Sequence, residues 1–165
     1  MPRMMYNKNK KHGENMTHRE TAMNNFLKGY NCAQAVLIAY CEELGLDKDT
    51  AAMLSCSFGG GMGRLREVCG AVSGMFLVAG FKKGYSDPKD KEAKKKHYEL
   101  VQLLAKEFKD IHGSIVCREL LGLNIKGADN PTPEDRTAEY YKKRPCVQII
   151  GDAAEIVERV LFQES

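Results

Sequence analysis

Apolar residues recur along most of the chain at the three- and four-residue spacing of amphipathic helices. Met23, Phe26 and Tyr30 follow one another at this spacing, and Thr17 with Glu20 forms a capping box just before them. No segment alternates between apolar and polar residues for long enough to predict a strand. The pattern therefore predicts an all-α fold.

The next helices are marked by polar residues at their predicted starts. Asn31 is a good N-cap for a second helix, which the pattern extends to Leu44. A short third helix starts at Asp47 or Asp49 and ends near Phe58.

The segment from about Arg66 to Phe81 is apolar on every side, which is typical of a helix surrounded by other helices. Gly70 and Gly74 lie about one turn apart on it, so a neighbouring helix is able to approach closely on that side. We therefore predict a single-domain helical bundle with a buried central helix.

The C-terminal half repeats the helical pattern. A long amphipathic helix begins at Asp87-Pro88, and its apolar stripe extends to Ile111. Ser114 caps a short helix, a helical turn covers residues 134–142, and Pro145 starts the last helix.

Composition and charge fit one ordinary globular domain. The chain has 165 residues, of which 43% are hydrophobic and 28% charged. The net charge of +3 comes from residues 1–16, and the remainder is neutral, so we expect no binding to nucleic acid. We predict that residues 1–16 are a disordered basic extension, with Met16 as an alternative natural start, and that residues 17–165 form the helical domain.

Targeting and membrane signals are missing from the sequence. The longest mostly apolar stretch, residues 68–81, is too short to span a bilayer, and we expect a cytoplasmic protein with no membrane partner. The cytosol keeps most thiols reduced, so the six cysteines are buried hydrophobic residues, metal ligands or catalytic thiols.

Four cysteines lie at or near the predicted N-terminal turns of helices: Cys32, Cys69, Cys117 and Cys146. Unpaired backbone N–H groups and the helix dipole stabilise a thiolate there. Arginines at 66, 118 and 144 stand close in sequence to three of them. Their positions on the apolar stripes direct the four thiols inward, where they are able to meet at one site.

The remaining two cysteines fit this site less well. Cys41 is about half a turn out of phase with Cys32 on the predicted helix, and the position of Cys56 is ambiguous. For any one cysteine taken alone, a buried and inert thiol is the commoner outcome. The chain also lacks the CxxC pairs of zinc ribbons and thioredoxin-like proteins.

A glycine-rich loop precedes the central helix, and it does not match the patterns of nucleotide-binding loops. Two interpretations stay open for it. The glycines provide a tight connection between packed helices, or their backbone N–H groups donate to an anion or to the sulfurs of a cluster. The candidate backbone donors are Gly59, Gly60, Gly61, Gly63 and Gly70.

The four cysteines and the glycine loop together resemble a family of bacterial redox-active proteins with the signature C…CGAxxG…C…C. The central motif here is residues 69–74, CGAVSG, and the FGGGMGR loop at residues 58–64 precedes it. Asn-Cys-Ala-Gln-Ala at residues 31–35 matches the first cysteine of the signature, and Cys117 and Cys146 match the third and fourth. The resemblance covers about residues 20–160.

The resemblance implies redox activity, with a bound iron–sulfur centre as one form of it. We rank electron transfer through an iron–sulfur cluster held by the four cysteines first, with a cofactor-free thiol/disulfide protein close behind. A structural zinc site on the same thiolates and a plain helical interaction module rank lower. We expect a redox partner protein, and the sequence leaves open whether the protein is an enzyme or a homo-oligomer.

Overall fold

Helices account for most of the chain that the structure, a computed structural model, describes. The described residues are 15–163, so the predicted extension lies outside them except for its last two residues. The helices are α1 (His18–Leu27), α2 (Cys32–Ala39), α3 (Lys48–Ser55), α4 (Gly59–Met62), α5 (Gly70–Lys83), α6 (Lys91–His112), α7 (Cys117–Leu120), α8 (Ala138–Lys143) and α9 (Cys146–Val157). The predicted all-α, single-domain fold is confirmed.

The predicted N-caps of the first three helices are confirmed. Thr17 and Glu20 form the capping box of α1. The Asn31 side chain accepts a hydrogen bond from the Gln34 backbone N–H at the start of α2, and Asp47 caps α3. These ends are set by residues three positions apart, so the local sequence is enough to specify them.

The predicted end of α2 at Leu44 is wrong, because the helix ends at Ala39. The Tyr40 and Cys41 backbone N–H groups bond to carbonyls three residues back, so the last turn tightens. The fully buried Tyr40 side chain holds this turn in place by donating its hydroxyl to the Ala154 carbonyl, at 2.6 Å.

The predicted start of α5 near Arg66 is also wrong, because this helix begins at Gly70. Residues before it run beside the segment that leads into α7, and Val68 and Val116 form an isolated antiparallel bridge. Arg66 has a φ of +60°, which no right-handed helix allows. Cys69 is therefore the N-cap residue of α5, and does not lie a turn inside it.

Three later boundaries differ from the prediction. Helix α6 starts at Lys91, where Asp90 is the cap, and not at Asp87-Pro88. Helix α7 starts at Cys117, while Ser114 instead accepts a hydrogen bond from the Val116 N–H. The predicted turn at residues 134–142 is α8, which covers only Ala138–Lys143.

Ile111, assigned to the buried stripe of α6, has 56% of its surface exposed.

Helix α5 lies in the middle of the packing, against α2, α6 and α9. Its first six residues, Gly70 to Met75, are all buried. A Cβ atom at Gly74 would lie 2.8 Å from the Val36 Cβ, so the predicted close approach of a neighbouring helix is confirmed for α2.

A partly buried ion-pair network joins α1, α6 and α9. Arg19 Nη1 lies 2.6 Å from one oxygen of Asp152, and His112 Nε2 lies 3.1 Å from the other. Burial acts to raise the pKa of Asp152, but hydrogen bonds from His112 and Arg19 outweigh it and lower this pKa.

Within residues 15–163, none of the helices has the length and apolar character needed to cross a membrane.

Candidate functional site

Five cysteines line one cavity of about 300 Å³, namely Cys56 and the four that the sequence pattern predicts: Cys32, Cys69, Cys117 and Cys146. Cys32 and Cys146 are the first residues of α2 and α9, Cys69 is the N-cap of α5, and Cys117 opens α7. Cys69, Cys117 and Cys146 are buried, while Cys32 is partly exposed. Residues far apart in the chain therefore meet at one place through their positions at the starts of helices.

The antiparallel bridge between Val68 and Val116 places two of these thiols on the same side. The Cys69 N–H donates to the Ile115 carbonyl at 2.8 Å, and the Cys117 N–H donates to the Glu67 carbonyl at 2.6 Å. Side chains alternate between the two faces of extended segments, so Cys69 and Cys117 both lie on the face opposite the two valines. This pairing explains why α5 starts later than its apolar pattern predicts.

The glycine loop lies directly against the cysteines. A Cβ atom at Gly61 would lie 2.6 Å from the Cys117 Cβ, and one at Gly70 would lie 2.9 Å from the Cys32 Cβ. Gly61 also has a φ of +69°, which favours glycine. All five predicted glycines, Gly59, Gly60, Gly61, Gly63 and Gly70, line the cavity. The close-packing interpretation thus has direct geometric support.

The pKa values of Cys32 and Cys146 are shifted in opposite directions. A side-chain hydrogen bond from Cys32 lowers the pKa of Cys146, and burial opposes this effect only partly. The charges of Arg144, Arg136 and Arg66 lower it further. The same hydrogen bond, together with burial, raises the pKa of Cys32 well above its ordinary value. These directions, together with the three nearby arginines, make Cys146 the candidate thiolate of the pair.

Cys69 and Cys117 are thiols that resist ionisation. Burial raises the pKa of Cys69 to about 12, even though the backbone N–H groups of Ala71 and Val72 act to lower it. Burial also raises the pKa of Cys117, against the opposing effect of a hydrogen bond from Arg66. The site therefore contains one activated thiol and three that stay protonated at neutral pH.

An arginine–aspartate cluster forms one wall of the cavity. Arg66, whose side chain is only 3% exposed, donates from Nη1 to the Cys117 sulfur at 3.6 Å and from Nε to Asp129 at 3.0 Å. Arg64 also contacts Asp129, with its Nη2 at 3.2 Å from the carboxylate. The Arg66 hydrogen bond, with further contributions from the Asn130 N–H and Arg64, lowers the pKa of Asp129, so this carboxylate stays charged.

Two further arginines close the other side. Arg136 donates to the carbonyls of Phe26 and Tyr30 and stacks over the Phe26 ring. Arg144 pairs with Glu134 at 2.5 Å. Both arginines come from the segment around α8, which carries them to within electrostatic range of Cys146.

Some sequence predictions about individual residues need correction. Arg118 does not face a thiol, since it donates to backbone carbonyls such as those of Leu65 and Ile125. Cys41 lies outside the cavity, as its helical phase suggests, whereas Cys56 lines the cavity although its own surface is exposed.

Four charged residues at or beside the cavity are not predicted from the sequence: Arg64, Asp129, Glu134 and Arg136. Arg64 was visible inside the glycine loop, but the other three lie in or near a long irregular segment with no apolar period that would assign them to a site.

In the part of the chain that the structure describes, no group of three or more His, Cys, Asp or Glu side chains is arranged to hold a metal ion.

An all-α fold that gathers four cysteines from helix starts and a glycine loop around one cavity fits a class of cysteine-based redox proteins. The match to a family model places the chain within this class. Over residues 30–160, it matches the model described as "Putative redox-active protein (C_GCAxxG_C_C)". Because this match covers most of the chain, the protein belongs to that family. No curated protein and no solved structure matches the chain.

Proposed function

We propose that the protein carries out reversible thiol/disulfide exchange, with Cys146 as the nucleophile and Cys32 as the resolving thiol. The observation that carries this proposal is the position of two thiols at the starts of α2 and α9 on one cavity, where the pKa of Cys146 is lowered and that of Cys32 is raised. A nucleophilic thiol beside a protonated neighbour is the arrangement that two-step disulfide exchange requires. It is also the reason for ranking this chemistry above the iron–sulfur cluster that the sequence analysis placed first.

The exchange takes two steps. The Cys146 thiolate attacks one sulfur of a substrate disulfide R–S–S–R′, forms a mixed disulfide with R–S and releases R′–S⁻, which takes up a proton. Cys32 then loses its proton and attacks the Cys146 sulfur, forming the Cys32–Cys146 disulfide and releasing R–S⁻, which is protonated in turn. Two electrons and two protons thus pass from the protein thiols to the substrate, which leaves as two thiols.

Surrounding residues support each step. The positive charges of Arg144, Arg136 and Arg66 stabilise the Cys146 thiolate before attack. Burial keeps Cys69 and Cys117 protonated, so they do not compete with Cys146 as nucleophiles. We expect the reaction to take place in the cytoplasm, with a redox partner protein restoring the reduced form.

An iron–sulfur cluster remains a second candidate, favoured by one specific observation. Four thiols from four separate helix starts line the same cavity of about 300 Å³, and four thiolates are the usual ligand set of such clusters. Cys32, Cys69, Cys117 and Cys146 would hold the cluster, which would supply one-electron transfer. The arginines would offset its negative charge.

Thiol counting under controlled oxidation tests the proposal. The reduced protein is incubated with bis(2-hydroxyethyl) disulfide, and free thiols are counted before and after. We expect the loss of two thiols, reversed by dithiothreitol, with Cys32 and Cys146 joined in the peptide map. Cys32→Ser and Cys146→Ser should each prevent the internal disulfide, whereas Cys41→Ser, outside the cavity, should not. An unchanged thiol count in the wild-type protein would contradict the proposal.

Cys69→Ser separates the two candidates. Thiol exchange at Cys146 does not use Cys69, so this variant should still form the Cys32–Cys146 disulfide. A four-thiolate cluster needs every ligand, so the same variant should lose iron if the protein is an iron–sulfur protein. Iron and acid-labile sulfide measured on both proteins after anaerobic purification distinguish these results.

A further inference from the structure

The wall of the cysteine cavity carries more positive than negative charge. Arg64, Arg66, Arg136 and Arg144 line it, and Glu134 is the lining carboxylate. Asp129 lies behind this wall and pairs with Arg64 and Arg66, so it is counted as a second negative charge. Four arginines against two carboxylates leave two positive charges unbalanced. A Cys146 thiolate balances one of them, which leaves one positive charge for a molecule that enters the cavity.

One of these arginines, Arg66, is buried. The Arg66 side chain is 97% buried, since only 3% of it is exposed, and it lines the cavity. Its Nη2 lies 2.9 Å from Asp129 but makes no aligned hydrogen bond there or with any other residue that the structure describes. Arg64 pairs with the same carboxylate, so Asp129 alone does not neutralise both guanidinium groups, and an anionic group in the cavity would supply the second negative charge.

Access to the thiols is narrow. Cys146, the proposed nucleophile, is only 9% exposed, so a small disulfide reaches it more readily than a bulky one on a folded protein, while the partly exposed Cys32 stays accessible to a redox partner protein. The cavity of about 300 Å³ is in the size range of pockets for small molecules.

We propose that the physiological substrate is a small disulfide that carries an anionic group, such as a carboxylate, beside its S–S bond. This inference rests on the proposed thiol exchange and adds the chemical class of the oxidant. The anionic group binds among Arg66, Arg136 and Arg144 while Cys146 attacks the nearer sulfur. The same arginines stabilise the thiolate that leaves, because negative charge develops on that sulfur during the exchange.

Three disulfides of similar size and different charge test the proposal. They are 3,3′-dithiodipropionate, which is dianionic, bis(2-hydroxyethyl) disulfide, which is neutral, and cystamine, which is dicationic. The rate at which each oxidises the reduced protein is divided by its rate with 2-mercaptoethanol, which removes the intrinsic reactivity of the disulfide. We expect the anionic disulfide to react about tenfold or more faster than cystamine at low ionic strength. The preference should shrink in 1 M salt.

Two variants of one ion pair show whether the charge of the cavity causes the preference for the anionic disulfide. Arg144→Gln and Glu134→Gln both break the Arg144–Glu134 pair, but they change the charge of the cavity in opposite directions. Arg144→Gln should lower the rate ratio of the anionic disulfide to cystamine by about threefold or more, and Glu134→Gln should raise it by a similar factor. Thermal unfolding curves of both variants check that the fold is kept.

The possible results separate this inference from the proposed function. Equal normalised rates for all three disulfides would overturn the anionic substrate while leaving thiol exchange in place. A shift of the ratio in the same direction in both variants would also overturn it, since the broken ion pair and not the charge would then be the cause. If none of the three disulfides removed thiols from the protein, the proposed function would fail and this inference would fail with it.

Discussion

The Cys32–Cys146 hydrogen bond allows a quantitative prediction about the reactivity of Cys146. Cys32→Ala removes the donor that contributes most to lowering the pKa of Cys146, while the arginines remain. A hydrogen bond to a charged group contributes about 1.5–3 kcal/mol, and each 1.36 kcal/mol changes the thiolate population tenfold. Water that enters the space left by the thiol replaces part of this interaction. We therefore expect the thiolate population of Cys146 at neutral pH to fall about tenfold.

Cys32→Ser is the matched control, because serine keeps a hydrogen-bond donor at the same position while removing the thiol. In this variant, the reactivity of Cys146 should stay within about threefold of wild type. Cys41→Ala, outside the cavity, should leave it unchanged.

Alkylation with iodoacetamide measures the thiolate directly, since the thiol form does not react. The protein is kept reduced, alkylated for short times at several pH values, and digested so that the Cys146 peptide is quantified by mass spectrometry. The alkylation rate at neutral pH should fall in Cys32→Ala, and its rise with pH should move to higher pH. A wild-type rate at Cys146 in Cys32→Ala would refute the hydrogen bond as the source of its reactivity.

Three further predictions concern stability, each measured by urea unfolding. Gly61→Ala should cost about 1–3 kcal/mol more than Gly113→Ala, since both residues have positive φ but only Gly61 faces a clash, with the Cys117 Cβ; equal losses would contradict the close packing. Tyr40→Phe should destabilise by about 1–2 kcal/mol, because the Ala154 carbonyl loses the hydroxyl donor and keeps only the Glu158 backbone N–H, and a neutral result would argue against the hydroxyl bond. The pKa of Asp152 is lowered by folding, so its stabilising effect is present above its ordinary pKa of 3.8 and is lost as the pH falls below it. The difference between wild type and Asp152→Asn should accordingly shrink from pH 7 to pH 3, and a constant difference would count against the ion pairs.

Local sequence signals specified the parts of the fold that depend on nearby residues. Thr17, Asn31 and Asp47 cap their helices through contacts three residues away, so they were predictable. The start of α5 was not, because Cys69 is held outside the helix by a hydrogen bond to Ile115, 46 positions further along the chain. The apolar pattern of α5 continues backward into residues 66–69, which tertiary contacts keep out of the helix. The pattern alone therefore predicts a start that is too early.

In the candidate site, too, features that depend on nearby residues could be predicted, and features that depend on the packing of distant segments could not. Helix phase sets Cys41 apart, and predicted helix starts select four of the five cysteines that line the cavity, whereas the position of Cys56 does not follow from either signal. The sequence could not show that Cys32 and Cys146 form a coupled pair, since this depends on how α2 and α9 pack together. Nor could it place Arg136, because an irregular segment carries no period from which the direction of a side chain follows.

The most direct test of the account is a disulfide map of the protein purified without oxygen and then equilibrated in a glutathione redox buffer, with iron and acid-labile sulfide measured on the same sample. Our proposal predicts a protein free of iron and sulfide, in which Cys32 and Cys146 form a disulfide whose fraction follows the buffer potential reversibly. Stoichiometric iron and sulfide, with absorption near 400 nm and no Cys32–Cys146 disulfide, would contradict it and establish the cluster instead.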